Sequence, residues 1–171
     1  LRSLENVAIA DIVALVAVFG IEFARALRTA AQNRALRKKV YLDEATGLPN
    51  KNKCEELLDD PNPIAPDAPV AVFVFDMNNL RAINNNLGHE KGDEYIKSFA
   101  DQLAKIASDR VFVGRDGGDE FIVIARNATH DNAAALLDDL RAHAAEYSAD
   151  HPAMPISYAA GYALSTDFDG P

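Results

Sequence analysis

Residues 7 to 21, VAIADIVALVAVFGI, are apolar on every side except at Asp11, and the chain beyond them turns basic at Arg25, Arg28, Arg34, Arg37, Lys38 and Lys39. This pattern predicts one helix from about Ser3 to Val40, buried all round in its first half and roughly 55 Å long at 1.5 Å per residue. Such a rod is too long for one small domain to cover. It is therefore expected to pair with a second copy as a stalk, although the apolar spacing is too ragged to assign a heptad register. The competing expectation is membrane contact through residues 4–24, as the end of a span flanked by cytoplasmic positive charge. Against it, only about ten residues separate Asp11 from Glu22, where a crossing needs ~20, and a central acid costs about 2.5–3.5 kcal/mol on insertion.

Beyond Val40 the periods change. Tyr41 to Asn50 breaks the helix at Gly47 and Pro49, and Lys51 to Asp60 returns to helix with Cys54, Leu57 and Leu58 expected inward. The run PNPIAPDAP, with four prolines in nine residues, is an irregular loop. Val70 to Phe75, VAVFVF, is continuously apolar and stops at Asp76, which predicts a central strand covered on both faces. Asn78 to Asn86 reads as a short helix and Leu87-Gly88-His89 as a turn. Lys91 to Ala107 is a longer helix with Tyr95, Ile96, Phe99, Leu103 and Ile106 on one stripe. Two short strands, Val111 to Val113 and Phe121 to Ala125, flank RDGGDEF as a hairpin. A helix from about His130 to Tyr147 is expected to turn Ala134, Leu137, Leu140, Ala144 and Tyr147 inward, and Ile156 to Leu164 is the last strand. The order β-α-α-β-β-α-β is that of a ferredoxin-like or palm-like antiparallel sheet with helices packed on it, an α+β fold preceded by the long helix. Two domains follow, residues 1–40 and 41–171.

Charge and cysteine content narrow the partners. A net charge of −9 over 171 residues argues against nonspecific nucleic-acid binding, which needs a surplus of Lys and Arg. The lone Cys54 excludes an intrachain disulfide or a multi-cysteine zinc site, suits a reducing cytosol, and reads as a core thiol.

Asp116, Asp119 and Glu120 lie within five residues on the glycine turn of the hairpin. Crowded like charges repel unless a cation sits among them. Asp76 ends a packed strand beside which this hairpin can lie. Hard oxygen ligands from two rigid elements, with room left for waters and phosphates, are what Mg²⁺ prefers. The alternative is an acidic turn with no chemistry, since DG and GG are ordinary hairpin dipeptides.

RDGGDEF, together with FDMNNLRAINNNLGHEKGDEYI (Phe75 to Ile96) and DEATGLPN (Asp43 to Asn50), resembles the GGDEF domain of bacterial diguanylate cyclases over about Tyr41 to Ala163. The resemblance implies condensation of two GTP into cyclic di-GMP with release of two pyrophosphates, in a homodimer using Mg²⁺ or Mn²⁺, in the bacterial cytoplasm at the inner face of the membrane. It implies metal binding by Asp76, the Met77 carbonyl, Asp119 and Glu120, with Asp119 helping to deprotonate the 3′-hydroxyl. Asn84 and Asp93 match the guanine-reading pair and His89 a position near the nucleotide. Asn79, Leu80, Gly117 and Gly118 match backbone positions facing phosphates, and Arg81 a phosphate-side cation.

Several positions depart from the family's pattern. Asn78 and Asn85 stand where aspartate is common, Leu80 where phenylalanine is, and Ala159 where the last strand usually carries serine. The inhibitory Arg-x-x-Asp upstream of the signature is Ser108 and Val111 here, so product inhibition through that site is not expected. The family usually continues beyond the last strand into a helix with phosphate-contacting Lys and Arg, so the C-terminal end is expected to be missing. A noncatalytic GTP-binding receptor is the alternative function.

Overall fold

The computed structural model describes residues 2–59 and 68–168, with the side chains of residues 2–14, 16, 17, 35 and 37 outside the description. Most of the PNPIAPDAP loop and the surroundings of Asp11 therefore fall outside the described residues. The chain divides into two compact units, residues 1–40 and 41–171.

The first unit is essentially one helix, α1 (Arg2–Tyr41). Of its described apolar side chains, Phe19, Phe23, Leu27 and Leu36 are more than half exposed in the single chain. No described helix is long and apolar enough to cross a membrane.

The second unit follows in the order α2 (Lys51–Asp59), β1 (Val70–Met77), α3 (Leu80–Leu87), α4 (His89–Lys105), β2 (Val111–Gly117), β3 (Glu120–Arg126), α5 (His130–Asp150) and β4 (Tyr158–Leu164), with a final 3₁₀ turn at Ser165–Asp167. The four strands form one sheet in the order β2-β3-β1-β4, every pair antiparallel. In β1 the alternation is strict: Ala71, Phe73, Phe75 and Met77 are buried, and Val72, Val74 and Asp76 point the other way. Phe75 meets Phe99 of α4 and Tyr158 of β4, and Phe99 also meets Phe121 of β3, with ring centroids 6.1, 5.8 and 5.2 Å apart. This aromatic cluster, extended by Tyr95, Leu103, Val123 and Leu140, is the centre of the core.

Three sequence expectations are corrected. β1 is central but not covered on both faces, because the core gathers on the Phe73 and Phe75 side and Val74 is 51% exposed on the other. On that second face α2 packs against β2, where the Cys54 sulfur occupies the space a side chain at Gly114 would need, 2.5 Å from its Cβ position. Leu58 is exposed, because so short a helix turns one stripe to the sheet and Cys54 with Leu57 fills it. In α5 Ala133 is buried and Ala134 exposed, because Ala133 stands four and seven residues before Leu137 and Leu140 on the inward stripe, whereas Ala134 is turned about 100° away from it. Cys54 is fully buried as expected, and desolvation, with the nearby Asp116 charge, pushes its thiol up to about 11.

Candidate active site at the strand-end and hairpin edge

The site is built at the end of β1 where the β2–β3 hairpin turns. Asp76 is the register partner of Glu120 on β3 and of Ala159 on β4. Directly opposed residues project from the same face with Cβ atoms about 4.5–5.5 Å apart, so these two carboxylates share one corner of the sheet. One residue on, the Met77 N–H donates to the Asp119 carbonyl at 3.0 Å, which ties the turn itself to the end of β1. Asp76 and Glu120 are exposed and Asp119 half-buried.

The third hairpin acid leaves this corner. Between Arg115 and Gly117 the β2–β3 register shifts, making Asp116 a bulged residue. Its carboxylate lies 3.9 Å from Lys51 of α2. Asp116 is thereby set apart from the corner formed by Asp76, Asp119 and Glu120. Gly118, with φ 51°, holds the left-handed position of the turn that glycine takes without strain.

The loop from β1 to α3 is shaped by asparagines. Asn79 has φ 67°, a conformation asparagine tolerates better than most residues, and its carbonyl accepts from Ile83 to start α3. Asn78 donates from its backbone and its side-chain amide to the carbonyl and hydroxyl of Ser157, at 2.9 and 3.1 Å. Ser157 is itself gripped by the buried Tyr95, whose hydroxyl accepts from its N–H and donates to its carbonyl at 2.9 and 3.2 Å. Tyr95 therefore holds this loop, a role invisible in its place on an apolar stripe. The Leu80 and Met77 side chains are buried, leaving only their backbone groups to face a ligand. Arg81 lies exposed in the first turn of α3 and His89 exposed at the start of α4.

The helices that carry the candidate guanine readers meet at Gly88, in the turn that the sequence predicts at Leu87-Gly88-His89. α3 and α4 are separated by Gly88 alone, at φ 90° and ψ 162°, a conformation reserved for glycine. Across this elbow Asn84 lies against Gly92 so closely that a Cβ on Gly92 would stand 1.9 Å from its Oδ1. Gly92 precedes Asp93, which is exposed on the first turns of α4. A cavity of about 690 Å³ between α4 and the end of α5, lined by Leu87, Lys91, Tyr147 and Met154 among others, contains none of the candidate site residues. The site is instead an open edge.

Among the described residues no three His, Cys, Asp or Glu side chains gather tightly enough to make a metal cage by themselves. The donor set at the corner is all oxygen and incomplete, which fits Mg²⁺, a cation that keeps waters and takes substrate phosphates into its shell.

Comparison with known proteins supplies the family. The profile described as "Diguanylate cyclase, GGDEF domain" matches residues 40–169. An uncharacterised protein of Mycobacterium tuberculosis is 35% identical over 123 residues, covering 69% of this chain and 20% of its own length. A diguanylate cyclase of Vibrio cholerae is 35% identical over 79 residues, 46% of this chain and 25% of its own. The chain thus spans a fifth to a quarter of the length of these relatives. Among solved structures, the coiled coil and GGDEF domain of DgcB from Caulobacter crescentus, in complex with c-di-GMP, superposes with a TM-score of 0.74 at 21% identity, over 88% of this chain and 82% of that one. With its signature turn at the corner of a palm-like antiparallel sheet and the family profile matching most of its length, the chain belongs to the GGDEF domain family of diguanylate cyclases.

Proposed function

We propose that this chain is a diguanylate cyclase domain that condenses two GTP molecules into cyclic di-GMP and releases two pyrophosphates. The observation that carries the reading is the meeting of the β1 end and the glycine hairpin: Asp76 opposite Glu120, and Asp119 bonded through its carbonyl to Met77. The carboxylates of Asp76, Asp119 and Glu120 with the Met77 carbonyl would hold Mg²⁺, or Mn²⁺ in its place. When bound, the cation supplies neutralisation of the triphosphate and polarisation of the attacking hydroxyl.

The chain's own groups do the rest. Asn84 and Asp93 read the guanine edge by complementary hydrogen bonds that adenine would leave unmade. The N–H groups opening α3 and the turn at Gly117 and Gly118 face the phosphates, and Arg81 adds charge beside them. Asp119 takes the proton of the 3′-hydroxyl as that oxygen attacks the α-phosphorus of the second GTP. The bond from the α-phosphorus to the bridging oxygen breaks, pyrophosphate leaves, and the same step in the opposite sense closes the ring. One domain holds one GTP, so two copies must face each other. The exposed apolar side chains of α1 suit pairing with a second copy, and its basic flank suits an anionic membrane surface.

The test is turnover: the purified chain with Mg²⁺ and GTP releases pyrophosphate and forms the cyclic dinucleotide, whereas titratable GTP binding without product would assign a receptor instead. A second expectation concerns the elbow. Gly92→Ala must displace Asn84, the tip of a surface side chain, so folding persists while affinity for a non-hydrolysable GTP analogue falls roughly tenfold, the cost of about one hydrogen bond to the base. Calorimetric titration beside a melting curve measures both.

A further inference from the structure

We propose that Arg115 is a positioning residue that sets the path of the signature turn and so aims Asp119, with Asp43 as its anchor. The inference rests on the reading of Asp119 as a site acid, and it assigns work to two residues outside the site. Arg115 is the last regular residue of β2 before the bulge, and its side chain is only 12% exposed. Its Nε and Nη2 both donate to the Gly118 carbonyl, at 3.2 and 2.7 Å, and Nη1 donates to Asp43 Oδ1 at 2.9 Å. Its backbone N–H donates to the Pro49 carbonyl at 2.8 Å.

The anchor is itself rigid. Asp43 Oδ1 also accepts from the Thr46 N–H and hydroxyl at 2.9 and 2.7 Å, and the Asp43–Leu48 loop is closed by the Asp43 N–H to the Leu48 carbonyl at 2.8 Å. Burial pulls the Asp43 carboxyl up, but hydrogen bonds from the Thr46 hydroxyl, Arg115 and the Thr46 N–H, with the Arg115 charge, outweigh it and hold the group below its ordinary value.

The consequence lies in the turn. Gly118 has no side chain to fix it, so the path into Asp119 depends on what its carbonyl is bonded to. That carbonyl is held by Arg115, and the next one, of Asp119, is held by the Met77 N–H from β1. Two successive carbonyls are thus pinned from two elements, and the Asp119 side chain is carried between them. Only a planar fork can give two donors to Gly118 and a third to Asp43, so lysine is no substitute. The anchoring loop begins two residues after α1 ends.

The experiment uses the full chain with Arg115→Lys, Arg115→Gln and Asp43→Asn. Mn²⁺ binding in the presence of GTP is read from the electron paramagnetic resonance of the free ion, alongside kcat, KM for GTP, melting temperature and hydrogen exchange of residues 116–120. Arg115→Gln is expected to weaken Mn²⁺ binding and kcat by about 10–100-fold, the range for removing groups that orient metal ligands, while KM moves less than about threefold because the base is read on α3 and α4. Exchange in the turn is expected to rise roughly tenfold. Asp43→Asn, which keeps acceptors for Thr46, gives a smaller effect of the same sign, and it decides the matter should Arg115→Gln fail to fold. Folded variants with Mn²⁺ binding, kcat and turn exchange all within about twofold of the parent overturn the proposal. If the parent itself neither binds Mn²⁺ with GTP nor turns over, the cyclase reading fails, and turn exchange still tests whether Arg115 sets the turn.

Discussion

Asp119→Asn is expected to cut pyrophosphate release from GTP by at least about 10²–10³-fold, the loss that follows removal of a group stabilising charge in the transition state. The structure makes this substitution a clean one. The turn is held to β1 through the Asp119 carbonyl, not its carboxylate, so asparagine keeps the Met77 bond and the shape of the hairpin. What it removes is one negative charge from a corner that also carries Asp76 and Glu120. Without a cation, neighbouring carboxylates repel, and the variant should be as stable as the parent or slightly more so. Equal or higher melting temperature with collapsed turnover marks an acid kept for chemistry. Unchanged turnover in a pyrophosphate-release assay would remove Asp119 from the mechanism and leave the crowding of acids on the hairpin without a catalytic cause.

Phe99→Ala is expected to destabilise the domain by about 3–5 kcal/mol, the range for emptying a large aromatic site in a core. Phe99 is wholly buried and touches three rings on three strands: Phe75 on β1, Phe121 on β3 and Tyr158 on β4, the last stacked at 4.8 Å. It is therefore the point where α4 is bolted to the sheet, and no single neighbour can relax into the space. Domains of this size are stable by about 5–15 kcal/mol, so roughly a fifth or more of the total is at stake. Thermal unfolding should show a midpoint lower by on the order of 10–20 °C. A drop of only a few degrees would mean that the aromatic cluster repacks.

The parts of this fold legible in the sequence are those with a period. The α4 stripe from Tyr95 to Leu103 is buried as its spacing predicts, and the hairpin lies where two apolar runs flank a glycine turn. The single-period signal fails where it is degenerate. VAVFVF is apolar at every position, so nothing in it distinguishes the half-open Val74 face from the sealed Phe73 face. Alanine-rich α5 offers Ala133 and Ala134 with equal hydrophobicity, and the choice falls to Ala133 only through its spacing of four and seven residues from Leu137 and Leu140. At the candidate site, the acids and the Asn84–Asp93 pair were legible through a local motif. Arg115 and Asp43 were not, because their contact spans 72 residues and depends on a bulge that no composition announces. Gly92 stands within the same motif as Asp93, but its need for glycine is steric and arises from a neighbour eight residues away across the elbow.

The strict alternation along β1 also acts as a safeguard on chemistry. Because Phe73 and Phe75 face the interior and Asp76 faces the other way, sliding β1 against β3 by one residue would invert every side chain, driving the carboxylate into the oily layer and two benzyl groups into water. The misaligned sheet is thus penalised by grease before any catalytic group is consulted. Accuracy at the candidate site is inherited from parity in the interior.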